Sequence, residues 1–219
     1  MTNDILYSFR RCPYAIRVRW ALLICEIKVE LREIDLKNKP IDFLNRSSTK
    51  TVPILIKKNI ETIEESLDII QWALSNSKKK NLTNIYIPAK KKDKIFSTIN
   101  ENDNKFKYHL DRFKYAARFN SNEEEYHFSE ANKFIKRWNK LLNENNYLFG
   151  ENPTIADWCI WPFVRQFKIA CESKKKTNYF EQPIQKWIEY FENHKNFKDL
   201  MHKYDLWKPS SKKIYFPMN

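Results

Sequence analysis

Hydrophobic and polar positions divide the chain into two parts with different periodicities. In the first part, short apolar or alternating segments typical of strands are separated by segments with a helical spacing of apolar residues. The pattern predicts strands at 4–9, 30–36, 52–56 and 61–63 and helices at 13–25, 41–45 and 67–74. A short turn at 57–60 separates the last two strands, which are therefore predicted to pair as an antiparallel hairpin.

The order of these elements is strand, helix, strand, helix, strand, strand, helix. Cys12 follows the first strand, and Pro53 lies at the start of the third strand, where a missing ladder donor is tolerated. Together these features indicate a thioredoxin-like layout. In the first helix Trp20 belongs to the apolar face, and Arg17 and Arg19 are predicted to lie off that face.

The composition changes after the last of these helices. Residues 75–91 are polar and rich in Lys and Asn, with Pro88 as a helix breaker. Beyond them the apolar residues keep a helical spacing, and the predicted helices span 92–118, 123–146, 154–171 and 183–203. The fold class is therefore α/β followed by all-α. The domains predicted are a thioredoxin-like domain (βαβαββα) at 1–77, a linker at 78–91 and an α-helical domain at 92–219.

A formal net charge of +13 raises the question of nucleic-acid binding. The lysines occur in runs such as 78–80, 90–92 and 174–176, among polar residues at predicted helix ends or in the linker. Arginine and aromatic residues are only weakly interleaved with these runs, so the runs are typical of solvated surfaces. We therefore do not expect nucleic acid as a partner, and the charge favours small anionic ligands instead.

The four cysteines and the single glycine exclude some kinds of binding site. A single glycine excludes a Gly-rich phosphate-binding loop. The cysteines, at positions 12, 25, 159 and 171, form no Cys-x-x-Cys pair and lack the Cys/His spacing of a zinc site, so no metal is expected. The chain shows no signal-like start and no apolar window near about 18 residues, so we predict a cytoplasmic protein without membrane contact.

Cys12 is the candidate reactive residue. It stands directly before Pro13, which is favoured at the first position of a helix because its missing N–H would be unpaired there anyway. Cys12 is thus predicted at the N-cap, where unpaired N–H groups and the helix dipole favour an anion. A thiol in that position can have a pKa below the ordinary value of about 8.5 and act as a nucleophilic thiolate.

The run Arg-Cys-Pro-Tyr-Ala at 11–15 carries a family resemblance. With the layout above, the chain resembles a cytosolic glutathione S-transferase over nearly its whole length, and in particular the cysteine-type members: the omega class, the dehydroascorbate reductases and related bacterial proteins. The resemblance implies a glutathione-binding thioredoxin-like domain, an α-helical domain and glutathione as co-substrate. Ala15 stands where a dithiol glutaredoxin has its second cysteine, so it implies monothiol chemistry at Cys12.

Thr51-Val52-Pro53 is the second motif of the resemblance. In the family the proline is cis, and the main chain of the residue before it, here Val52, pairs with the cysteinyl part of glutathione. The loop before it usually reads Pro-x-Gly-x-Val-Pro, whereas this chain has Ser48 and Lys50 at the first two marked positions. A positive φ at Lys50 would therefore carry a steric cost that glycine avoids.

Two further sites follow from the resemblance. Glu65 and Ser66, at the start of a predicted helix, correspond to the family's site for the γ-glutamyl end of glutathione, since a helix N-terminus suits a carboxylate and an acid suits an ammonium. The alternative is an ordinary serine cap beside an acid. Lys39 corresponds to the residue that meets the glycyl carboxylate, and a solvated loop lysine is the alternative.

A capping box marks the helical domain. Thr154 as N-cap and Asp157 three positions later form a Thr-x-x-Asp box that the family carries in a core helix of this domain. The only glycine, Gly150, lies just before it, where a turn is expected to need positive φ. The residues predicted to contact a second substrate are Tyr108, Arg118, Trp161 and Arg165, and aromatic residues at this spacing also suit a core.

The sequence thus predicts a glutathione-dependent thiol transferase or reductase, with thiol transferase or dehydroascorbate reductase-like activity. Two alternatives stay open. Glutathione itself could be conjugated to electrophiles, with Tyr7 or Ser8 stabilising its thiolate. The chain could also be a non-enzymatic interaction module of the same fold. The second substrate would be a small electrophile or a disulfide, and a homodimer is the assembly usual for the fold, although no interface signature is visible.

Overall fold

The structure, a computed structural model, describes residues 3–176 and 180–218. The chain folds into two compact units. The first contains the residues up to Thr83 together with those from Lys195 onward, and the second spans Asn84–His194. Residues 1–2, 177–179 and 219, which the predicted domains include, lie outside the described residues.

The first unit is built on a mixed sheet. Within the described residues its strands are β1 (Ile5–Ser8), β2 (Val29–Glu33), β3 (Ile54–Ile56), β4 (Thr62–Ile63) and β5 (Ile214–Phe216). They lie in the order β4-β3-β1-β2-β5; β1 and β2 are parallel and the other neighbours are antiparallel. The register sets Tyr7 of β1 beside Ile54 and Arg32. The first four strands confirm the predicted thioredoxin-like layout.

The helices follow the predicted order with a few differences. Within the described residues they are α1 (Pro13–Cys25), α2 (Ile41–Arg46), α3 (Ser66–Asn76), α4 (Leu82–Tyr86), α5 (Lys92–Glu101), α6 (Lys107–Lys114), α7 (Glu124–Glu144), α8 (Ile155–Ser173), α9 (Gln182–Glu192) and α10 (Phe197–Leu200). The predicted linker at 78–91 contains α4. The predicted helix at 92–118 is interrupted by a π-helical turn at Asn102–Phe106 between α5 and α6.

The first helix, α1, is buried on nearly all sides. It begins with Pro13 and ends at Cys25, and the C-cap residue Glu26 takes the left-handed conformation with a φ of 54°. The prediction that Arg17 and Arg19 lie away from the buried face is wrong, because α1 packs against α3 and α10 as well as lying in the core of the unit. Both side chains are instead buried among polar partners, with 1% and 0% of their surface exposed.

The second unit confirms the capping box. The Thr154 hydroxyl accepts a hydrogen bond from the Ala156 N–H at 3.3 Å, and the Asp157 carboxylate accepts one from the Thr154 N–H at 2.8 Å. Asp157 also accepts from the indole N–H of Trp187 at 2.9 Å, which ties the start of α8 to α9. Gly150 has a φ of 131°, as expected for the turn before the box.

The C-terminal segment differs from the prediction. Instead of one helix at 183–203, the structure has α9 and the short α10, and the residues from Lys195 onward belong to the first unit rather than to a helical domain at 92–219. The reason is β5, which pairs with β2 and aligns Phe216 with Val29. Three strand residues among lysines and prolines carry no local signal, whereas the edge of β2 has main-chain groups that need partners. None of the described helices combines the length and apolar character needed to cross a membrane.

Candidate active site

Cys12 lies at the N-cap of α1, as predicted. Its main-chain N–H donates to the Phe9 carbonyl at 2.9 Å, and its own carbonyl accepts the first helical hydrogen bond, from the Ile16 N–H, at 2.9 Å. The side chain is half-buried and packs against the core of the first unit. The first-turn N–H groups of α1 have no helical acceptor, so the positive end of the helix dipole lies beside the sulfur.

The loop before β3 faces this thiol. The Val52–Pro53 peptide bond is cis, as the resemblance implied. The Val52 carbonyl oxygen lies 3.6 Å from Cys12 Sγ, within the range of a hydrogen bond donated by a thiol. Val52 is 7% exposed and belongs to the same core cluster against which Cys12 packs. Two segments forty positions apart in sequence thus meet at the sulfur.

A buried ion pair supports the turn that carries Cys12. Glu33, at the end of β2, accepts a hydrogen bond from the main-chain N–H of Arg10 at 2.5 Å. The other oxygen of Glu33 pairs with the guanidinium of Arg19, whose Nε donates to Ser8 Oγ at 3.0 Å. Burial lowers the pKa of Arg19, and the Glu33 carboxylate opposes that effect. The Arg10 guanidinium donates to the Met201 carbonyl at 3.3 Å.

At the start of α3, the Ser66 hydroxyl is hydrogen-bonded to the guanidinium of Arg17. Ser66, the first residue of α3, is 3% exposed, and its Oγ accepts hydrogen bonds from Arg17 Nε at 3.1 Å and Nη2 at 2.8 Å. The Arg17 Cζ atom lies 4.8 Å from the centre of the Tyr14 ring. Glu65, at the N-cap, is exposed to solvent. This end of α3 therefore offers positive character at Ser66 and a carboxylate beside it.

Lys39 and Lys50 are in direct contact. The Lys39 Nζ donates to the Lys50 carbonyl at 2.8 Å, and Lys50 has a φ of 54°, so the positive φ anticipated at this position is present. A surface groove of ≈ 580 Å³ lies next to this loop. It is lined by Ser48, Thr49, Glu61, Thr62, Ile63, Glu64, Glu65 and Asp68.

Tyr7 and Ser8, the residues considered for stabilising a glutathione thiolate, are both fully buried. The Tyr7 hydroxyl is hydrogen-bonded to Asp42 and accepts from Arg32 Nη1 at 2.5 Å, on the side of the sheet that carries α2. Burial raises the pKa of Tyr7 well above its ordinary value, and the Asp42 hydrogen bond adds to the effect. The Ser8 hydroxyl is occupied by Arg19. Neither hydroxyl is available to an incoming thiolate in this structure.

The residues predicted to contact a second substrate all lie in the second unit, in different surroundings. Tyr108 is 46% exposed and stacks with the guanidinium of Arg112, and Arg118 is exposed, with its Cζ atom 4.6 Å from the Tyr115 ring. Arg165 donates to Glu192 at 2.7 Å. Trp161 has no exposed surface and stacks on Phe191, so it is a core residue of the second unit.

A mixed sheet with a cis-proline loop and a cysteine at the start of the first helix is the arrangement of a thioredoxin-like fold, and the second unit is helical, so the chain has the architecture of a two-domain protein of that fold class. Residues 6–81 match the family model of the glutathione S-transferase N-terminal domain, and residues 103–204 match that of the C-terminal domain. The chain belongs to the cytosolic glutathione S-transferase family, and this membership supports glutathione transferase activity.

Individual relatives agree with this assignment. The chain is 27% identical to mouse glutathione S-transferase omega-1 over 174 residues, which are 78% of this chain and 69% of that protein. Glutathione transferase Omega 3C from Trametes versicolor aligns with a TM-score of 0.75 at 15% identity, over 95% of this chain and 87% of that one. A family member from Pseudomonas fluorescens with two glutathione bound aligns with a TM-score of 0.73 at 15% identity, over 91% and 92% of the chains.

Three residues of this site were missed by the sequence analysis. The helical spacing places Arg17 off the buried face of α1, and the alternating pattern at 30–36 assigns Glu33 no role beyond the strand. Glu64, next to the motif residue Glu65, accepts hydrogen bonds from the main-chain N–H groups of Ser48 and Thr49, which no local pattern indicates. The available signal was a pair of arginines inside an otherwise apolar helix, since buried charges need partners.

Proposed function

We propose that this chain is a glutathione-dependent thiol transferase in which Cys12 forms a mixed disulfide with glutathione. The observation that carries the proposal is the position of Cys12, which caps α1 and lies 3.6 Å from the carbonyl of the residue before the cis-proline. A helix N-terminus favours the thiolate, which is the nucleophilic form of cysteine. The omega-class relative supports a cysteine-type assignment.

The reaction proceeds by two thiol–disulfide exchanges. In the first, the Cys12 thiolate attacks the glutathionyl sulfur of a mixed disulfide, forms a Cys12–glutathione disulfide and releases the substrate as a thiolate, which takes a proton from water. In the second, the thiolate of a reduced glutathione attacks the glutathionyl sulfur on Cys12. This step forms glutathione disulfide and returns the Cys12 thiolate. Over both steps, one reduced glutathione is consumed for each mixed disulfide that is reduced, and the glutathione disulfide joins it to the glutathionyl group taken from the substrate.

We assign the ends of glutathione to separate parts of the first unit. The main chain of Val52, before Pro53, binds the cysteinyl part. Ser66 and the N-terminus of α3, with the Arg17 guanidinium 2.8 Å from the Ser66 hydroxyl, bind the γ-glutamyl carboxylate, and the exposed Glu65 binds its ammonium group. These assignments rest on complementary charge at each position.

Lys39 binds the glycyl carboxylate in this proposal. Its ammonium has three donors, and the hydrogen bond to the Lys50 carbonyl occupies one of them. For the second substrate we retain Tyr108 and Arg118, whose side chains are exposed, and leave out Trp161, which is buried. Arg165 would have to exchange its ion pair with Glu192 to take part. The proposal places the protein in the cytoplasm, because reduced glutathione requires a reducing compartment. It includes a homodimer, because that is the assembly usual for the fold.

Thiol transfer fits the structure better than conjugation does. Conjugating members of the family generally use a Tyr or Ser hydroxyl to stabilise the thiolate of glutathione, and both candidates here, Tyr7 and Ser8, are buried and occupied by other side chains. The Cys12 thiol is half-buried, and in this proposal it takes the place of a glutathione thiolate as the nucleophile. A side-by-side assay with a glutathionylated peptide and with a chloronitrobenzene is therefore expected to favour the disulfide substrate.

Replacement of Cys12 tests the role of this residue. Cys12→Ser is expected to reduce turnover of a glutathionylated peptide by more than about a hundredfold, since it removes the nucleophile. Cys171→Ala is the control: burial raises the pKa of the Cys171 thiol to about 12, which keeps it protonated and inert at neutral pH. Full turnover by Cys12→Ser would refute the mechanism. Failure of the wild-type chain to be retained on immobilised glutathione would instead favour a non-enzymatic module.

A further inference from the structure

The carboxylate of Glu64 binds the loop that leads to Val52. One oxygen, Oε1, accepts the main-chain N–H of Ser48 at 2.9 Å. The other, Oε2, accepts the main-chain N–H of Thr49 at 2.9 Å and the Thr49 hydroxyl at 2.8 Å. Two consecutive N–H groups that converge on one carboxylate form the kind of main-chain cradle that binds anions. Here the anion is a side chain of the protein itself.

The same set of hydrogen bonds continues through the rest of the loop. The Ser47 hydroxyl accepts the main-chain N–H of Lys50 at 2.8 Å and lies 3.3 Å from the Glu64 carboxylate. The Lys50 carbonyl accepts from Lys39. Lys50 takes a φ of 54°, which is sterically unfavourable for a residue with a Cβ atom. The loop is thus held in this conformation by hydrogen bonds and not by a glycine.

The two neighbouring glutamates face different partners. Glu64 is half-buried and directed at the loop, whereas Glu65 is exposed. Burial of Glu64 raises its pKa, but the N–H donors of Ser48 and Thr49 outweigh this effect and lower the pKa to about 2. The carboxylate is therefore charged at neutral pH, when charge-assisted hydrogen bonds to the loop are strongest.

The loop ends at the main chain that faces the thiol. Val52 follows Lys50 by two positions, and its carbonyl lies 3.6 Å from Cys12 Sγ. Only Thr51 separates Lys50 from Val52, and β3 begins two residues after Val52. A change in the conformation of Lys50 would therefore move the Val52 carbonyl. We propose that Glu64 is a positioning residue that fixes the 47–51 loop and so sets the main chain of Val52 opposite Cys12. The inference rests on the proposed function, in which that main chain binds glutathione.

The test compares four proteins: wild type, Glu64→Ala, the double variant Glu64→Ala/Lys50→Gly, and Glu61→Gln as control. Glu61 is a nearby exposed glutamate that pairs with Lys57. Calorimetric titration gives the Kd for reduced glutathione. Turnover of a glutathionylated peptide at varied concentrations of glutathione gives kcat and the KM for glutathione. The rate of Cys12 alkylation by iodoacetamide reports whether the thiol itself is changed.

Glu64→Ala is expected to raise both the Kd and the KM for glutathione about tenfold, with kcat and the alkylation rate within about twofold of wild type. Lys50→Gly, which accepts a positive φ without steric cost, is expected to restore most of the affinity in the double variant. Glu61→Gln is expected to match wild type. If Glu64→Ala does not fold, Glu64→Gln, which keeps the size of the side chain, takes its place in both the single and the double variant.

Unchanged affinity in Glu64→Ala would overturn the inference, and so would a loss that Lys50→Gly does not restore, because Glu64 would then bind the ligand directly. A wild-type protein that binds glutathione without turning over the disulfide would refute thiol transfer alone, and the titrations would still decide the role of Glu64. A wild-type protein that binds no glutathione would overturn both proposals.

Discussion

Two glutamates support the two segments that meet at the Cys12 thiol, and they do so in different ways. Glu33 is 5% exposed, pairs with the fully buried Arg19 and accepts the N–H of Arg10, two positions before the cysteine. Glu64 is half-buried and takes its hydrogen bonds from the N–H and hydroxyl groups of a surface loop. One carboxylate is balanced by a charge in the core, and the other by main-chain dipoles at the surface.

Because their surroundings differ, Glu33 is expected to contribute mainly to the stability of the first unit and Glu64 mainly to the conformation of the loop. Removing one partner of a buried ion pair leaves an uncompensated charge, so the cysteine side of the site depends on the integrity of the whole unit. The loop side depends on local hydrogen bonds that solvent can partly replace. We therefore expect changes around Glu33 to act on folding, and changes around Glu64 to act mainly on how glutathione is bound.

The largest effect is expected from Arg19→Met. It leaves Glu33 buried without its cation and is expected to lower the free energy of unfolding by about 3–5 kcal/mol, measured by urea titration. Arg46→Met, which breaks the more exposed ion pair with Asp42 at 3.2 Å, is the matched control and should cost less than about 1 kcal/mol. Equal losses of unfolding free energy in the two variants would show that Glu33 is not a buried charge that needs Arg19 as its partner.

Glu64→Gln is expected to have a smaller effect that depends on pH. At neutral pH the loss of charge-assisted hydrogen bonds should cost about 1–2 kcal/mol. The folded pKa of about 2 lies below the ordinary value of 4.5, so this contribution is fully present above pH 4.5 and disappears as the pH falls toward 2. Urea titrations of wild type and variant across this range check the prediction. A stability difference that does not change with pH would contradict it.

Lys39→Met is expected to have the smallest effect. If Lys39 meets the glycyl carboxylate, the variant should weaken glutathione binding about twofold to fivefold, as expected for a partly exposed charge pair. It should bind γ-glutamylcysteine, which lacks the glycine, as well as wild type does. Equal losses for both ligands, measured by calorimetric titration, would show that Lys39 acts only through the Lys50 carbonyl.

The parts of the fold and of the site that local sequence signals encode were predicted. Cys12 before Pro13 indicated a helix start, and Thr154 with Asp157 indicated a capping box, because both depend on residues within one helical turn. The position of Val52 opposite the thiol came from a family resemblance, since no local rule joins positions forty apart.

The parts that depend on distant partners were not predicted. Arg17 contacts Ser66 across 49 positions, and β5 pairs with a strand almost 190 residues earlier. Helical spacing alone indicated that Arg17 was off the buried face, but packing of α1 on several sides buries it. Glu64 looks like an ordinary polar residue until the loop at Ser48 folds against it.

The most direct test of the account is to identify the product of Cys12 with glutathione disulfide. After incubation and rapid removal of excess reagent, intact-protein mass spectrometry with peptide mapping should find one glutathionyl group, attached to Cys12. Reduced glutathione should remove it. No adduct, or an adduct on Cys25 or Cys171 while Cys12 stays unmodified, would contradict the proposal that Cys12 is the reactive thiol.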